Sequence, residues 1–185
     1  NAWLYPKLPF DPLTDFTPIT GLIVSPYGLA VNPALPIANV REMLAYAKEN
    51  PGKFNYAMLG NGSASHLAGI ELAARSGVAM TFVPYKGGAP ALADVAAGQS
   101  QALAIAMLST YPFVRGGKLK LLAVMSSERL SFLPDVPTIG EAGVPGLVGV
   151  GRVAEQEADA VARRQGPDAG QVGEPTIDGG EIDLE

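Results

Sequence analysis

Short apolar runs alternate with single amphipathic stretches from Val40 to Met125, and Gly, Asn or Pro marks the junctions between them. A run of that kind reads as a buried strand, and the longer stretch after it, apolar at helical spacing, as a crossover helix. Strands separated by single helices pair in parallel, and a parallel sheet needs helices on both faces. The expected fold class is therefore α/β, a mainly parallel sheet flanked by helices. Phe54 to Met58, Met80 to Val83, Gln101 to Met107 and Leu119 to Met125 are the expected strands. The first helix puts Val40, Met43, Leu44 and Ala47 on one face, with Asn39 as N-cap, Glu42 at the capping-box position and Asn50-Pro51-Gly52 as the stop. A second follows Gly60-Asn61-Gly62-Ser63, turns Leu67, Ile70, Leu72 and Ala73/Ala74 inward, and ends at Gly77. Further helices are expected over Ala89 to Ala97 and Leu108 to Val114, and Thr138-Ile139-Gly140-Glu141 opens a last short one with a capping-box pattern.

Composition removes several function classes. With no Cys and a single His among 185 residues, disulfide frameworks, Cys/His zinc sites and thiol nucleophiles are excluded. Eighteen acidic residues against 13 basic ones argue against a nucleic-acid surface, which needs clustered Lys and Arg. The charge is uneven: residues 1–150 carry 9 acidic and 10 basic residues, whereas 151–185 carry 9 and 3. The stretch from Pro167 onward lacks aromatic residues and any sustained apolar period, so 151–185 is expected to be an acidic, disordered tail. Asn1 to Phe10 has neither the basic start nor the apolar core of a signal peptide. Leu22 to Val31, broken by Ser25-Pro26, falls well short of the ~20 residues of a membrane-spanning helix. No direct membrane insertion and no cofactor are expected.

In sheets of this kind ligands bind beyond the carboxyl ends of the strands. Three loops lie there: Leu59 to His66, Pro84 to Gly88, and Met107 to Tyr111. The first is the richest, because Gly60 and Gly62 let a ligand approach the backbone, Ser63 and Ser65 offer hydroxyls, and the helix behind them presents unpaired N–H groups at a positive dipole end. Together with Asn61 and His66 they suit an anion, a carboxylate or a phosphate. The same glycines and serine would also serve a plain turn and a helix cap, and His66 suits packing as well as ligand contact. Tyr85 and Lys86 sit beyond the next strand, where phenol and ammonium reach an anion or else pack and face solvent. Asp94 and Glu71 are expected on helix faces away from these loops.

Motifs for other chemistry fail. Gly60-x-Gly62-x-x-Ser65 departs from the dinucleotide fingerprint and lacks an acidic residue near Thr81 and Phe82. Lys86-Gly87-Gly88 is the wrong order for a P-loop, and Gly62-Ser63-Ala64 lacks the frame of a nucleophile elbow. Ser63 or Ser65 with His66 as nucleophile and base is left as a serine-hydrolase alternative, with no third group to orient the imidazole.

Several segments in matching order resemble one family. They are Leu8-Pro9-Phe10-Asp11-Pro12, Asp15-Phe16-Thr17-Pro18-Ile19, Asn50 to Ala57, Gly60-Asn61-Gly62-Ser63 with His66-Leu67-Ala68-Gly69, Val83-Pro84-Tyr85-Lys86-Gly87, and Leu133 to Thr138 with Glu141-Ala142-Gly143. They look like the Bug family, the extracytoplasmic solute-binding receptors of tripartite tricarboxylate transporters. The resemblance implies a type II periplasmic-binding-protein fold, in which two α/β lobes close over a small carboxylate and the receptor presents it to membrane permease subunits. It places a carboxylate at the Gly60 to His66 helix start, with Tyr85, Lys86 and Gly87 on the neighbouring wall. It also implies a periplasmic location and a binding protein without catalytic residues.

Departures from the family pattern shape the remaining expectations. The family's opening strand and Pro-Gly-Gly loop have no counterpart before Asn1, so the first lobe is expected to be largely missing, 1–18 to be its extended remnant and 19–150 to be the ligand-binding lobe. Where many members carry an Asp facing the ligand, Ile105 stands here, which disfavours ligands with an ammonium group. The expected function is that of a truncated carboxylate receptor, and a structural remnant or interaction module that binds nothing is the second alternative.

Overall fold

Tyr27–Val31 forms strand β1, which begins directly after Pro26 and which the alternation of runs and helices does not reveal. The computed structural model describes residues 9–11, 15–16 and 25–147, so most of the expected 1–18 segment and all of the expected 151–185 tail lie outside the described residues. After β1 come α1 (Val40–Glu49), β2 (Asn55–Met58), α2 (Ala64–Ser76), β3 (Thr81–Pro84), α3 (Gly88–Ala96), β4 (Ala102–Ala106), α4 (Met107–Arg115) and β5 (Lys120–Val124). They build a five-stranded sheet in the order β3-β2-β4-β1-β5. β2 is parallel to β3 and β4, while β1 runs antiparallel to both β4 and β5. Four strands thus share a direction, as expected of a mainly parallel sheet, and β1 opposes them from between β4 and β5.

Alternation along the strands sends side chains to two cores. Leu29 and Val31 of β1, Tyr56 and Met58 of β2, and Ala102 and Ala104 of β4 meet α1 and α2 through Val40, Met43, Ala47, Ala68 and Leu72. On the other face Ala30, Ala57, Leu103 and Ile105 meet Ala91, Leu92 and Val95 of α3, with Phe113 and Val114 of α4 beside them. Asn32, just past β1, ties the layers together: its Nδ2 donates to the carbonyls of Val95 and Ala96 at 2.7 and 3.1 Å, and its Oδ1 accepts from Ala34 N at 2.8 Å.

The expected caps form. Asn39 Oδ1 accepts from Glu42 N at 2.9 Å, Glu42 Oε2 reaches back to Ala38 N at 2.7 Å, and Gly77 closes α2 in the left-handed conformation. Three expectations need correction. Leu67 and Ile70 are 47% and 43% exposed, because α2 turns Ala68, Gly69 and Leu72 to the sheet instead. Gly69 permits this: a Cβ there would stand 2.6 Å from Tyr56 Cε1 and 2.7 Å from Phe82 Cε1, so only a bare backbone comes this close. The Met107 to Tyr111 loop does not exist, since β4 passes into α4 without an intervening residue and Met107 N donates to Pro26 O at 2.8 Å. Finally, Thr138 and Glu141 do exchange capping-box bonds, 2.8 Å from Thr138 N to Glu141 Oε2 and 3.2 Å from Glu141 N to Thr138 Oγ1. They close a turn and not a helix, because Thr138 is bridged to Val124 beside β5 and Gly143 takes a φ of 104° five residues on.

Candidate functional site

The carboxyl ends of β2, β3 and β4 and the first residue of β1 share one edge of the sheet, as the Tyr27–Ala106 and Met58–Pro84 pairs show. From this edge the chain leaves β2 as Leu59-Gly60-Asn61-Gly62-Ser63 and enters α2. Gly60 and Gly62 have φ of 92° and 73°, a left-handed backbone that other residues adopt at a cost. The turn closes with Ser63 N on Gly60 O at 3.3 Å, and Asn61 at its tip is exposed. Ser63 is the N-cap of α2: its Oγ accepts from His66 N at 3.1 Å.

His66 turns back on the loop. Its Nδ1 accepts from Gly62 N at 3.0 Å, and its ring meets Phe82 edge-on at a centroid distance of 5.4 Å. With Nδ1 as acceptor the neutral ring carries its proton on Nε2. The imidazole therefore braces the turn and does not touch the Ser63 hydroxyl, whose one bond to His66 is through the backbone. A nucleophile–base pair is not assembled there. Since Gly62 N is spent on His66, the N–H groups of Ala64 and Ser65, the first two of α2, are those left without an intrahelical acceptor, and the partly exposed Ala64 is the one the helix start presents. Ser65 itself is fully buried, and its Oγ has no hydrogen-bond partner among the described residues. Its carbonyl accepts from Tyr56 Oη at 3.2 Å, and burial pushes the Tyr56 phenol far above its ordinary range.

The second wall differs from expectation in one respect. Lys86 is exposed and is the charged residue on these loops, and Gly87 is the N-cap of α3 in extended conformation, with open space where a Cβ would stand. Of the two readings open for the Tyr85 phenol, reaching an anion or packing, the structure favours the second: it bonds Asp94 Oδ2 on α3 and lies 3.1 Å from Ser100 Oγ, ahead of β4. Asp94, expected to lie away from these loops, is tied to one of them. Glu71 does lie apart, paired with Arg75 at 2.7 Å on the exposed side of α2. Ile105 is 2% exposed within the α3 core, and a Cβ at Gly88 would stand 3.6 Å from its Cδ1, so it supports the start of α3 from beneath.

The assembled elements are one helix start with two unpaired N–H groups, a buried hydroxyl beside them and a lysine on the next loop. A partial positive dipole end, fixed donors and a cation stabilise an anion. No cluster of three or more His, Cys, Asp or Glu suited to a metal occurs among the described residues, and no helix among them is long and apolar enough to cross a membrane. Sequence reasoning missed the two residues that bind the Tyr85 hydroxyl, since nothing local links positions 85, 94 and 100, and it missed Phe82 as the surface on which His66 rests.

Residues 1–164 match the family described as tripartite tricarboxylate transporter family receptor, TctC. Protein BugT of Bordetella pertussis is 34% identical over 145 residues, which is 78% of this chain and 44% of BugT. Among solved structures, Rpa4515 of R. palustris with adipate superposes with a TM-score of 0.75 at 32% identity, over 91% of this chain and 60% of that one. MatC of Rhodopseudomonas palustris with bound malate gives a TM-score of 0.73 at 31% identity, over 87% of this chain and 58% of that one. The chain spans less than half the length of the curated relatives it matches. Its sheet is that of a lobe of a periplasmic binding protein, and the chain belongs to the TctC family of tripartite tricarboxylate transporter receptors, to which the Bug proteins are related.

Proposed function

We propose that this chain binds a small carboxylate at the start of α2 and serves as one wall of a periplasmic receptor that hands its ligand to the permease of a tripartite tricarboxylate-type transporter. The observation that carries this reading is the turn from Gly60 to Ser63, which is closed by its own bonds yet leaves the N–H of the partly exposed Ala64, at the first residue of α2, without an intrahelical acceptor. Two relatives at 32% and 31% identity carry adipate and malate in their solved structures, both dicarboxylates. Backbone donors recognise the carboxylate and not what it is attached to, so dicarboxylates are the class to try first and their spacer is left open. Asn61, Gly62, Ser63, His66, Lys86 and Gly87 shape the site, while Tyr85 and Ile105 support it from behind.

The described residues form one lobe, and a ligand held from one side forms fewer bonds. An affinity of about 1 mM, or about 4 kcal/mol, is expected of the chain as it stands. The test is an amide NMR titration with millimolar adipate and malate. Selective shifts at Gly60, Gly62, Ser63, Ala64 and Ser65, lost in Gly62→Val, are the expected result. A dispersed spectrum in which no carboxylate moves these amides would end the proposal.

A further inference from the structure

Tyr85 is held at both ends. Its backbone N–H donates to Met58 O at 2.8 Å, which carries the β2–β3 ladder one residue past the strand. At the far end of the side chain, Asp94 Oδ2 accepts from the phenol, and Ser100 Oγ lies 3.1 Å from the phenol oxygen. A phenol has one proton, so once it is given to Asp94 the Ser100 hydroxyl is the donor of the second bond. Ser100 is 1% exposed, which keeps water from competing for that bond. The three residues come from three separate pieces of chain: the end of β3, the last turns of α3 and the approach to β4.

Between Tyr85 and α3 stand only Lys86 and Gly87. Lys86 is exposed, Gly87 makes no side-chain cap, and α3 therefore starts without the local bond that Ser63 provides for α2. A turn with no cap of its own takes its position from what anchors its ends. One end is Tyr85, and the hydroxyl bonds fasten Tyr85 to the body of the same helix that the turn must start.

We infer that Asp94 and Ser100 are positioning residues, which act through the Tyr85 hydroxyl to fix the Lys86–Gly87 turn and the start of α3 at the edge where the carboxylate binds. The geometric part stands on the bonds themselves; the consequence for affinity rests on the function proposed above. Lys86 is the cation of the site, and its backbone is placed by a neighbour whose side chain points away from the ligand.

The test compares the wild-type chain with Tyr85→Phe, Asp94→Ala and Asp94→Asn by NMR relaxation, amide exchange and titration with adipate and malate. Asp94→Asn keeps an acceptor oxygen for the phenol and serves as the conservative rescue. In Tyr85→Phe and Asp94→Ala the order parameters of Lys86, Gly87 and Gly88 should fall below about 0.6, while the amides of β2 and β4 keep their protection. Dicarboxylate affinity should weaken by about tenfold, the worth of one such bond, and return to within about twofold in Asp94→Asn. Unchanged order parameters in both variants would overturn the inference, as would mobility of the turn with unaltered affinity, or exchange that accelerates across the whole sheet. If the wild-type chain binds neither dicarboxylate, the proposed function fails, and the order parameters still decide whether the tether exists.

Discussion

Two buried residues carry costs that can be measured one at a time. Gly69 lies where α2 crosses Tyr56 and Phe82, both aromatic rings that cannot bend aside, so Gly69→Ala should lose about 1–3 kcal/mol in urea unfolding, as overpacked sites do. Asn32 is 7% exposed and its amide satisfies two carbonyls at the end of α3; Asn32→Ala leaves them buried without that donor and should cost about 1–3 kcal/mol by the same measurement. Tyrosine ionisation gives the alkaline limit. Burial raises both Tyr56 and Tyr85 above the ordinary value of 10.0, so the folded state holds their protons more tightly than the unfolded chain does. Their stabilisation is complete below pH 10.0 and is lost as the pH climbs from there toward the folded-state values. The unfolding free energy measured against pH should bend downward above that point, and Tyr56→Phe should make the decline shallower. A curve that falls equally in Tyr56→Phe would show that other groups control it.

At the scale of elements, caps and periodicity made most of the lobe legible. Asn39 with Glu42, Ser63, and Gly77 end or begin their helices where residue chemistry places them, because a cap is a bond between near neighbours in the chain. Ser63→Ala should accordingly cost about 1 kcal/mol in thermal unfolding measured without ligand. What eluded the sequence depends on contacts distant in the chain. β1 was hidden because its partners, Ala102–Ala106 and Lys120–Val124, lie far downstream and Ser25-Pro26 interrupts the run that contains it. The face of α2 was misassigned because Gly69 favours the close approach of backbone to sheet over the burial of the larger Leu67 and Ile70. The Gly60 to His66 turn was recognisable as a candidate site from its residue types, whereas the direction of the Tyr85 phenol is set by Asp94 and Ser100, which no local pattern connects to it.

For the whole molecule, one surface tests whether the described lobe is packed as it stands. Ser25, Pro26, Met107, Leu108, Tyr111, Pro112 and Phe132 line an apolar groove of about 400 Å³ beside α4, with Leu108 72% and Phe132 58% exposed. Leu108→Gln should change the unfolding free energy by less than about 0.5 kcal/mol, as exposed positions do, and a loss several times larger would show that the groove is filled in the folded chain. The reversed strand has a temporal consequence as well. Among the described residues β1 is the earliest strand and sits between the two latest, pairing Tyr27 with Ala106 and Gly28 with Val124. During synthesis it must wait for nearly the whole lobe to emerge before it finds any ladder, and such distant pairings slow folding because loop closure precedes reward. β2, β3 and their helices have no such delay. A ribosome stalled shortly after β3 should therefore display a protease-sensitive β1, and a ribosome that has released β5 should display a protected one, so that the earliest of the described strands is the last one kept.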